Sequence, residues 1–385
     1  MTVNGVEVGG LTKSAAKNLL RGRVIDYLKS NHLVIRSGED VFKYSYPETD
    51  FTDGFESTLS SIKKKGSYSS PVYFYLNGAD EIAENLCRRY SYEVVEPYCV
   101  FNGEGEPFTY FEGRDGVACS KKKLLEDIKS SLNGEFEEVS ICTRVLARTQ
   151  SLNEVKDRTV KLYSFTTYFD GGNLDRSANI RLAAEKINGS ILQPNEVFSF
   201  NGTVGERSEK NGFKSAKIIE DGKFVQGIGG GVCQVSTTLY NAALLSGLNI
   251  KEYHPHSLQV NYVAPSRDAM VSGSYFDLKF ENCANTPVYI RVSCSLSSIT
   301  CTIYGKSDGN NYSFKSVVTE VTPRPPQTTV EGDEDRVISF GRDGTSSEGY
   351  LVVERDGEVD EKLIRKDKYS ALPDVVQIKR ENSLS

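Results

Sequence analysis

Residues 227–242 read Gly-Ile-Gly-Gly-Gly-Val-Cys-Gln-Val-Ser-Thr-Thr-Leu-Tyr-Asn-Ala and place Cys233 between a glycine-rich loop and the start of a helix. The glycines carry no Cβ, so the backbone there can turn sharply and lie close to another segment. From Val235 onward apolar residues recur at helical spacing, and Gly247 ends the pattern. Cys233 is therefore predicted at a helix N-terminus, where unpaired N–H groups and the helix dipole favour a thiolate and offer donors to an oxyanion.

A nucleophilic cysteine needs a base. The chain contains three histidines, which are His32, His254 and His256. A helix over about 234–246 would carry the chain roughly 20 Å away from the cysteine at ~1.5 Å per residue. The return segment to His256 can span about 30 Å when extended, so this histidine can lie beside Cys233. A Cys233–His256 pair is the prediction, with His254 as a neighbour.

The segment after His256 favours a strand. Apolar and polar residues alternate from Ser257 to Val263, as they do in a half-buried strand. The next polar cluster contains Asp268, a carboxylate that can orient the imidazole, and Arg267, a guanidinium that can hold a substrate carboxylate. Asp268 is the candidate third catalytic residue, and a turn-capping aspartate is the alternative.

Six short stretches follow one another along the chain. They are Thr166-Thr167-Tyr168-Phe169, Asn179-Ile180-Arg181, Phe198-Ser199-Phe200-Asn201, residues 229–242, His256-Ser257 and Asp268-Ala269. In this order they resemble the VanW-domain family over about 163–306. The region before them, with Gly10-Leu11-Thr12-Lys13 and a helix after Ser120, is similar to the peptidoglycan-binding domain that often precedes VanW domains in envelope proteins of Gram-positive bacteria.

This resemblance implies a cell-wall role, and some members of the family are understood to be L,D-transpeptidases with a cysteine nucleophile. Cys233, His256 and Asp268 match the cysteine, histidine and aspartate of the family. We therefore expect a transferase that forms 3–3 cross-links between peptidoglycan stem peptides through a Cys233 thioester, with His256 as general acid and base and without a cofactor. The expected substrate and oxyanion contacts are Gly230, Gly231, Gln234, Ser236, Arg267 and Tyr262.

Three other interpretations remain open at this point. A cysteine peptidase that hydrolyses wall peptides would use the same pair and admit water in place of an amine. A non-catalytic peptidoglycan-binding envelope protein would need the glycine-cysteine loop only for structure. A zinc site made by Cys233, His254 and His256 lacks an evident fourth ligand, so we expect no metal.

Composition limits these possibilities. The chain has 385 residues, which suggests two or three domains, and 38% of them are hydrophobic, enough for a core in each. A formal net charge of −6 argues against a general nucleic-acid binder. The eight cysteines lack the Cys-x-x-Cys spacing of zinc or redox sites. We expect Cys294 and Cys301 to be buried thiols, with a cross-strand disulfide as the alternative.

The overall expectation is a multidomain α+β protein. Residues 1–145 form a mixed α/β-type scaffold domain, with Thr12 and Ser120 capping helices over 13–20 and 121–132. Three further regions follow: a connector at 146–162, the VanW-like catalytic domain at 163–306 with strands around the cysteine-bearing helix, and a small β-rich module with a tail at 307–385.

The location is expected from the resemblance. No stretch of the chain approaches the ~18–20 consecutive apolar residues that cross a bilayer, and the first residues are no signal peptide. Because peptidoglycan lies outside the membrane, we expect an extracytoplasmic protein held in the cell envelope by an N-terminal anchor ahead of Thr2. The sequence gives no indication of the oligomeric state.

Overall fold

The fold is a mixture of helices and many small sheets, as the α+β expectation requires. A computed structural model describes residues 1–220, 223–273 and 275–379. The helices in these ranges are α1 (Lys13–Ser30), α2 (Phe55–Ser61), α3 (Ala79–Arg89), α4 (Lys121–Leu132), α5 (Leu152–Asp157), α6 (Leu174–Ile187), α7 (Phe200–Val204) and α8 (Val232–Leu244).

The strands are short in the first half of the chain and longer in the second. They are β1 (Thr2–Val3), β2 (Val6–Glu7), β3 (Leu33–Ser37), β4 (Asp40–Tyr44), β5 (Thr49–Asp53), β6 (Ser67–Tyr68), β7 (Val72–Leu76), β8 (Tyr98–Phe101), β9 (Phe108–Phe111), β10 (Gly116–Cys119), β11 (Val139–Ser140), β12 (Thr143–Leu146), β13 (Val160–Tyr168), β14 (Ser190–Leu192), β15 (Val197–Ser199), β16 (Ser215–Glu220), β17 (Lys223–Ile228), β18 (Asn249–Glu252), β19 (Lys279–Glu281), β20 (Val288–Cys294), β21 (Ser298–Gly305), β22 (Asn311–Thr322), β23 (Thr328–Gly332), β24 (Arg336–Ser339), β25 (Gly344–Arg355), β26 (Glu358–Tyr369) and β27 (Val375–Lys379).

The chain divides into two compact units. The first contains Met1–Pro97 and Glu112–Ser151, and the second contains Tyr98–Phe111 and the chain from Leu152 onward. The hairpin β8–β9 is therefore part of the second unit rather than of an N-terminal domain at 1–145. The region expected to be a connector, 146–162, contains α5 and the start of β13.

In the first unit, two helices begin at the predicted caps. The Thr12 hydroxyl accepts from the Ala15 N–H at 3.2 Å, and the Ser120 hydroxyl accepts from the Lys123 N–H at 3.3 Å. Helix α4 has the predicted bounds, whereas α1 continues ten residues past the predicted end because its later turns bury Leu28. A disulfide joins Cys87 in α3 to Cys119.

The second unit is built around a four-stranded antiparallel sheet with the order β13-β21-β20-β14. Helices α6 and α8 pack against this sheet, and their apolar side chains share one core with it. Cys301 is a fully buried thiol, and Cys294 is a half-buried one. Their cross-strand partners are Val292 and Ile299, so the two cysteines do not oppose each other and no disulfide joins them.

The predicted strand at 257–263 is wrong, because the segment after β18 is irregular up to residue 271. Its carbonyl groups are bound by other parts of the chain. The Ser257 carbonyl accepts from the Ser370 N–H at 2.8 Å, and the Gln259 carbonyl accepts from Arg342 at 2.5 Å. These bonds replace the ladder that a strand would need.

The region after residue 306 consists of strands, as the prediction of a β-rich module requires. Its two three-stranded sheets have the orders β22-β25-β26 and β23-β27-β24. The first sheet is tied to the preceding segment, since Ser316 donates to the Pro265 carbonyl at 2.7 Å and Ser347 shares a 2.8 Å hydrogen bond with Ser266. Residues 380–385 of the expected tail lie outside the described residues.

Among the described residues, the helices are all too short or too polar to serve as a membrane span.

Candidate active site

Helix α8 begins without a side-chain cap. Gly231 is the N-cap residue at a φ of +104°, a left-handed conformation that favours glycine, and no side chain bonds to the first N–H groups from this position. Val232 is the first helical residue and Cys233 the second, so the helix starts two residues before the prediction. Cys233 is half-buried. The thiol therefore lies in the first turn, at the positive end of the helix dipole.

Close packing explains why this loop is rich in glycine. A Cβ on Gly230 would lie 2.7 Å from the Lys217 carbonyl oxygen, and one on Gly231 would lie 2.9 Å from Arg176 Cγ. The buried Asn179 side chain fastens the loop, because its Nδ2 donates to the Gly230 carbonyl at 3.0 Å and to the Lys214 carbonyl at 2.9 Å. The position of the thiol is thus set by the loop's contacts with β16 and α6.

Polar side chains of α8 hold the irregular segment that follows β18. The Thr237 hydroxyl accepts from the Ala269 N–H at 3.0 Å, and the Ser236 hydroxyl donates to the Ala269 carbonyl at 2.6 Å. Asn241 Nδ2 donates to the Arg267 carbonyl at 2.8 Å. All three side chains are buried, and each has a hydrogen-bond partner in this segment. The helix and the segment are therefore joined by a network of buried hydrogen bonds.

That segment presents His256 and Asp268 to the helix start. His256 Nδ1 lies 2.7 Å from Asp268 Oδ2, and the backbone N–H of His256 donates to the same oxygen at 2.7 Å. The imidazole is 5% exposed and the carboxylate 1%. With Nδ1 bound to the carboxylate, the ring nitrogen that remains for Cys233 is Nε2.

Cys233 Sγ donates to the Val271 carbonyl at 3.3 Å, and Cys233 and His256 both line the same cavity. Burial raises the pKa of the thiol, but its interactions with the His256 side chain outweigh burial and hold that pKa below its ordinary value. Burial lowers the pKa of His256, and the bonds to Asp268 and Cys233 outweigh it and raise that pKa to about 9. Both shifts favour a thiolate beside an imidazolium, the reactive form of a cysteine nucleophile.

Asp268 is itself held by two side chains of strand β26. The Tyr369 hydroxyl donates to Asp268 Oδ1 at 2.6 Å, and Arg365 lies 3.4 Å from the same oxygen and donates to the Asp268 carbonyl at 2.8 Å. Arg365 also pairs with Asp367 at 2.6 Å. Burial raises the pKa of Asp268, but the interactions with His256 and Arg365 outweigh burial and hold that pKa below its ordinary value, so the carboxylate stays ionised.

A cavity of about 1280 Å³ opens at the start of α8. Cys233, His256 and the Gly230–Gly231 loop line it, together with Arg176 and Arg207. A thiol, an imidazole and a helix N-terminus therefore face one space that is large enough for a peptide. The described residues offer no group of three or more histidine, cysteine, aspartate or glutamate side chains placed to hold a metal ion.

One family model matches the part of the chain that contains these residues. The family model for "VanW like protein" matches residues 175–304, which include Cys233, His256 and Asp268. Residues 175–304 form a VanW-like domain.

Two curated relatives match in sequence. YoaR of Bacillus subtilis strain 168, named an uncharacterized protein, is 40% identical over 173 residues, which are 45% of this chain and 57% of YoaR. The vancomycin B-type resistance protein VanW of Enterococcus faecalis strain V583 is 32% identical over 131 residues, 31% of this chain and 46% of that protein. The chain thus spans about half the length of these relatives.

One solved structure is similar to part of the chain. The crystal structure of HP0197-G5 covers 18% of this chain and 96% of its own, at 15% identity and a TM-score of 0.12. A TM-score of this size carries no argument about fold or function.

The structure brings some of the predicted site residues of the VanW-like domain together and leaves others apart. Gly230, Gly231, Gln234 and Tyr262 line the cavity with Cys233 and His256. Burial raises the pKa of the Tyr262 hydroxyl. Asp268 lies behind the imidazole, and Ser236 is fully buried against Ala269, so it supports the fold and does not face the cavity.

Arg267 is not placed to hold a substrate. Its guanidinium stacks between the rings of Phe165 and Phe314, at 4.8 and 5.1 Å from their centroids, and its Nε donates to Asn241 at 2.8 Å. The prediction that Arg267 binds a substrate carboxylate is therefore wrong, and its side chain instead packs between aromatic rings. The arginines that line the cavity next to the thiol are Arg176 and Arg207.

Sequence reasoning missed Arg365 and Tyr369, which lie outside the matched range. They are 97 and 101 residues from Asp268, too far for any spacing rule. The alternation in β26 was the available signal, because Arg365, Asp367 and Tyr369 share one buried face while Lys366 and Lys368 point outward. Because both faces of β26 carry charged residues, the sequence pattern does not show which face is buried.

Proposed function

We propose that this protein is a cysteine L,D-transpeptidase that acts on the stem peptides of peptidoglycan. The observation that carries the proposal is the chain of contacts from Cys233 through His256 to Asp268 at an uncapped helix N-terminus, facing a peptide-sized cavity. The similarity of residues 175–304 to a family with a vancomycin resistance protein among its relatives favours the cell wall as the substrate's source.

The first half-reaction forms a thioester. The Cys233 thiolate attacks the carbonyl carbon of the third stem residue, a diaminopimelate, and backbone N–H groups at the start of α8 bind the oxyanion. His256 then gives its proton to the departing amine, the carbon–nitrogen bond breaks, and D-alanine leaves. Asp268 keeps the imidazole oriented and stabilises its positive charge.

The second half-reaction transfers the acyl group. The side-chain amine of a second stem enters the cavity, and neutral His256 takes its proton as the nitrogen attacks the thioester carbonyl. The carbon–sulfur bond breaks, the thiolate returns, and a 3–3 cross-link is formed. The sum is one peptide bond made for one broken, so the reaction needs no energy source.

The proposed location is the extracytoplasmic cell envelope, with an N-terminal anchor holding the protein there. The disulfide between Cys87 and Cys119 supports this location, because disulfides persist in oxidising compartments and are rare in the cytosol.

The test uses purified protein and the Cys233→Ala variant with disaccharide-tetrapeptide fragments, and mass spectrometry identifies the products. We expect cross-linked dimers that have lost one D-alanine, formed by the natural chain and absent with the variant. Cys283→Ala is the matched control, because Cys283 is an exposed free cysteine and its removal should leave the yield unchanged.

Two other results would replace the proposal. Shortened monomers without dimers would make the protein a wall-peptide hydrolase that uses the same residues. Unchanged fragments that nevertheless bind to the natural chain and to the variant with equal affinity would make it a non-catalytic peptidoglycan-binding protein.

A further inference from the structure

Two arginines contact the ends of the glycine loop that carries Cys233. A Cβ on Gly229 would lie 3.1 Å from Arg207 Cβ, and one on Gly231 would lie 2.9 Å from Arg176 Cγ. Both positions have a positive φ, at +84° and +104°. The loop is therefore glycine in part because the stems of two arginines lie against it.

Neutral groups orient both guanidinium groups. Arg176 Nη2 donates to Gln234 Oε1 at 2.7 Å, and Arg207 Nη2 donates to Asn201 Oδ1 at 2.5 Å. Amide oxygens fix the direction of a guanidinium without neutralising its charge. In the part of the chain that the structure describes, neither guanidinium has a carboxylate within the 4.0 Å of an ion pair.

The two positive charges are costly where they lie. Burial lowers the pKa of Arg176 and of Arg207, while the negative charge of Cys233 acts in the opposite direction on both, as does the carboxylate of Asp170 on Arg176 and of Asp277 on Arg207. Charges in such surroundings are normally paired, and a planar guanidinium binds a carboxylate through two parallel hydrogen bonds. A ligand carboxylate in the cavity would supply a partner in direct contact, which Asp170 and Asp277 do not provide within the described residues.

We propose that Arg176 and Arg207 form the binding site for the free carboxylate of the residue that leaves from the acyl donor. This inference rests on the proposed function. One residue spans at most about 3.6 Å, so the terminal carboxylate of a departing D-alanine lies close to the carbonyl that Cys233 attacks. A donor that continued past that residue would place an uncharged amide there. The site thus selects donors that end one residue after the bond to be broken.

Other charged side chains line the same cavity. Lys217 and Arg342 lie on its wall, as do the carboxylates of Asp170 and Glu206. Arg342 donates to the Gln259 carbonyl, and the Asp170 carboxylate accepts from the Gly172 N–H at 2.8 Å. Only for Arg176 and Arg207 do contacts with the loop and an interaction with the Cys233 charge coincide within the described residues.

The first test needs no peptidoglycan. Iodoacetate and iodoacetamide alkylate a thiolate by the same displacement of iodide, but only iodoacetate carries a carboxylate next to the reacting carbon. We expect the ratio of their rate constants at Cys233 to exceed the ratio for free glutathione at least tenfold. Peptide mapping assigns the alkylation, since the described residues include five other free cysteines.

Charge-removing variants assign the effect to the two arginines. Arg176→Gln and Arg207→Gln should each lower the rate ratio at least threefold, and the double variant should bring it to the glutathione value. Lys210→Gln removes the same charge from an exposed residue outside the cavity and should leave the ratio unchanged. A natural-chain ratio equal to that of glutathione, or a ratio that neither arginine variant changes, overturns the proposal.

The second test uses the donor peptide. A tetrapeptide with a free carboxyl terminus should have a KM at least tenfold below that of its carboxamide, and Arg207→Gln should remove the difference. Equal turnover of acid and amide would refute the carboxylate site and leave the transpeptidase intact. Selective alkylation by iodoacetate without any peptide turnover would support the carboxylate site and refute the proposed activity.

Discussion

Cys119 and Cys233 both lie at the start of a helix and have opposite surroundings. Cys119 directly precedes the N-cap of α4 and is joined to Cys87 in a disulfide. Cys233 is the second residue of α8, is free, and has a pKa that the neighbouring His256 lowers. The helix dipole acts at both places, so the dipole alone does not make a nucleophile.

The difference lies in what occupies the end of each helix. The Ser120 hydroxyl accepts from the Lys123 N–H, so the protein itself caps α4. The N-cap residue of α8 is Gly231, which has no side chain to offer, and the first turn of the helix faces the cavity. A helix N-terminus can take part in a reaction when no side chain of the protein caps it, so that a ligand can bind its N–H groups, and when a base lies beside it.

Among the changes that test this comparison, removing the His256 imidazole should have the largest effect on the rate of transfer. His256→Ala should lower the rate of transfer at least ~10³-fold, because proton transfer to the leaving amine and from the acceptor is lost. His254→Ala is the matched control, since His254 bonds to Glu252 at 3.0 Å and packs on Phe276. We expect the control to keep its rate within about threefold, and a His256→Ala protein with a tenth of the activity would contradict the assignment.

A smaller effect should follow from neutralising the residue behind the base. Asp268→Asn should lower the transfer rate about 100-fold and move the alkaline limb of the pH profile to lower pH. In the proposed mechanism the protonated imidazole is the general acid, so activity should fall as pH rises through the His256 pKa of about 9. Asparagine removes the negative charge that holds this proton, and that pKa falls towards its ordinary ~6.5.

Tyr369→Phe is the control for this prediction. It removes the 2.6 Å hydrogen bond to Asp268 and retains the carboxylate, so the alkaline limb should stay near pH 9. The pH dependence of the transfer rate, measured for the natural chain and both variants, gives the comparison. An alkaline limb that Asp268→Asn leaves in place would show that the carboxylate does not set the charge of His256.

Changes at the start of α4 should have the smallest effect on the reactivity of Cys233. Replacing Cys87 and Cys119 together by serine should lower the free energy of unfolding by about 2–4 kcal/mol, because the disulfide closes a 32-residue separation. The alkylation rate of Cys233 should change by less than twofold. Urea titration measures the stability. A change of tenfold in Cys233 reactivity would mean that the two cysteines are not independent.

The sequence was informative wherever the signal is local. The bounds of α4 follow from the Ser120 cap and from leucine and isoleucine at helical spacing. The approach of His256 to Cys233 follows from chain reach, since a helix and an extended return of similar length bring the two ends together. The run of glycines predicts a loop that turns sharply and lies close to another segment, and a Cβ on Gly230 or Gly231 would lie less than 3.0 Å from neighbouring atoms.

Where the structure differs from the sequence prediction, contacts between residues far apart in the chain explain the difference. The alternation at 257–263 predicted a strand, yet the backbone there bonds to Arg342 and Ser370 from the distant C-terminal region. Arg267 was assigned to the substrate from its charge alone, and two aromatic rings far apart in sequence enclose it. Each error concerns a residue whose partner lies more than about 25 positions away.

The central claim is that Cys233 forms a thioester with the donor, and intact-protein mass spectrometry tests it most directly. The protein is mixed with disaccharide-tetrapeptide, quenched in acid within seconds, weighed and mapped by peptide analysis. We predict an adduct with the mass of the donor less D-alanine, located on Cys233 and absent from Cys233→Ala. Cross-linked product formed without this adduct, or an adduct mapped to another cysteine, would contradict the account.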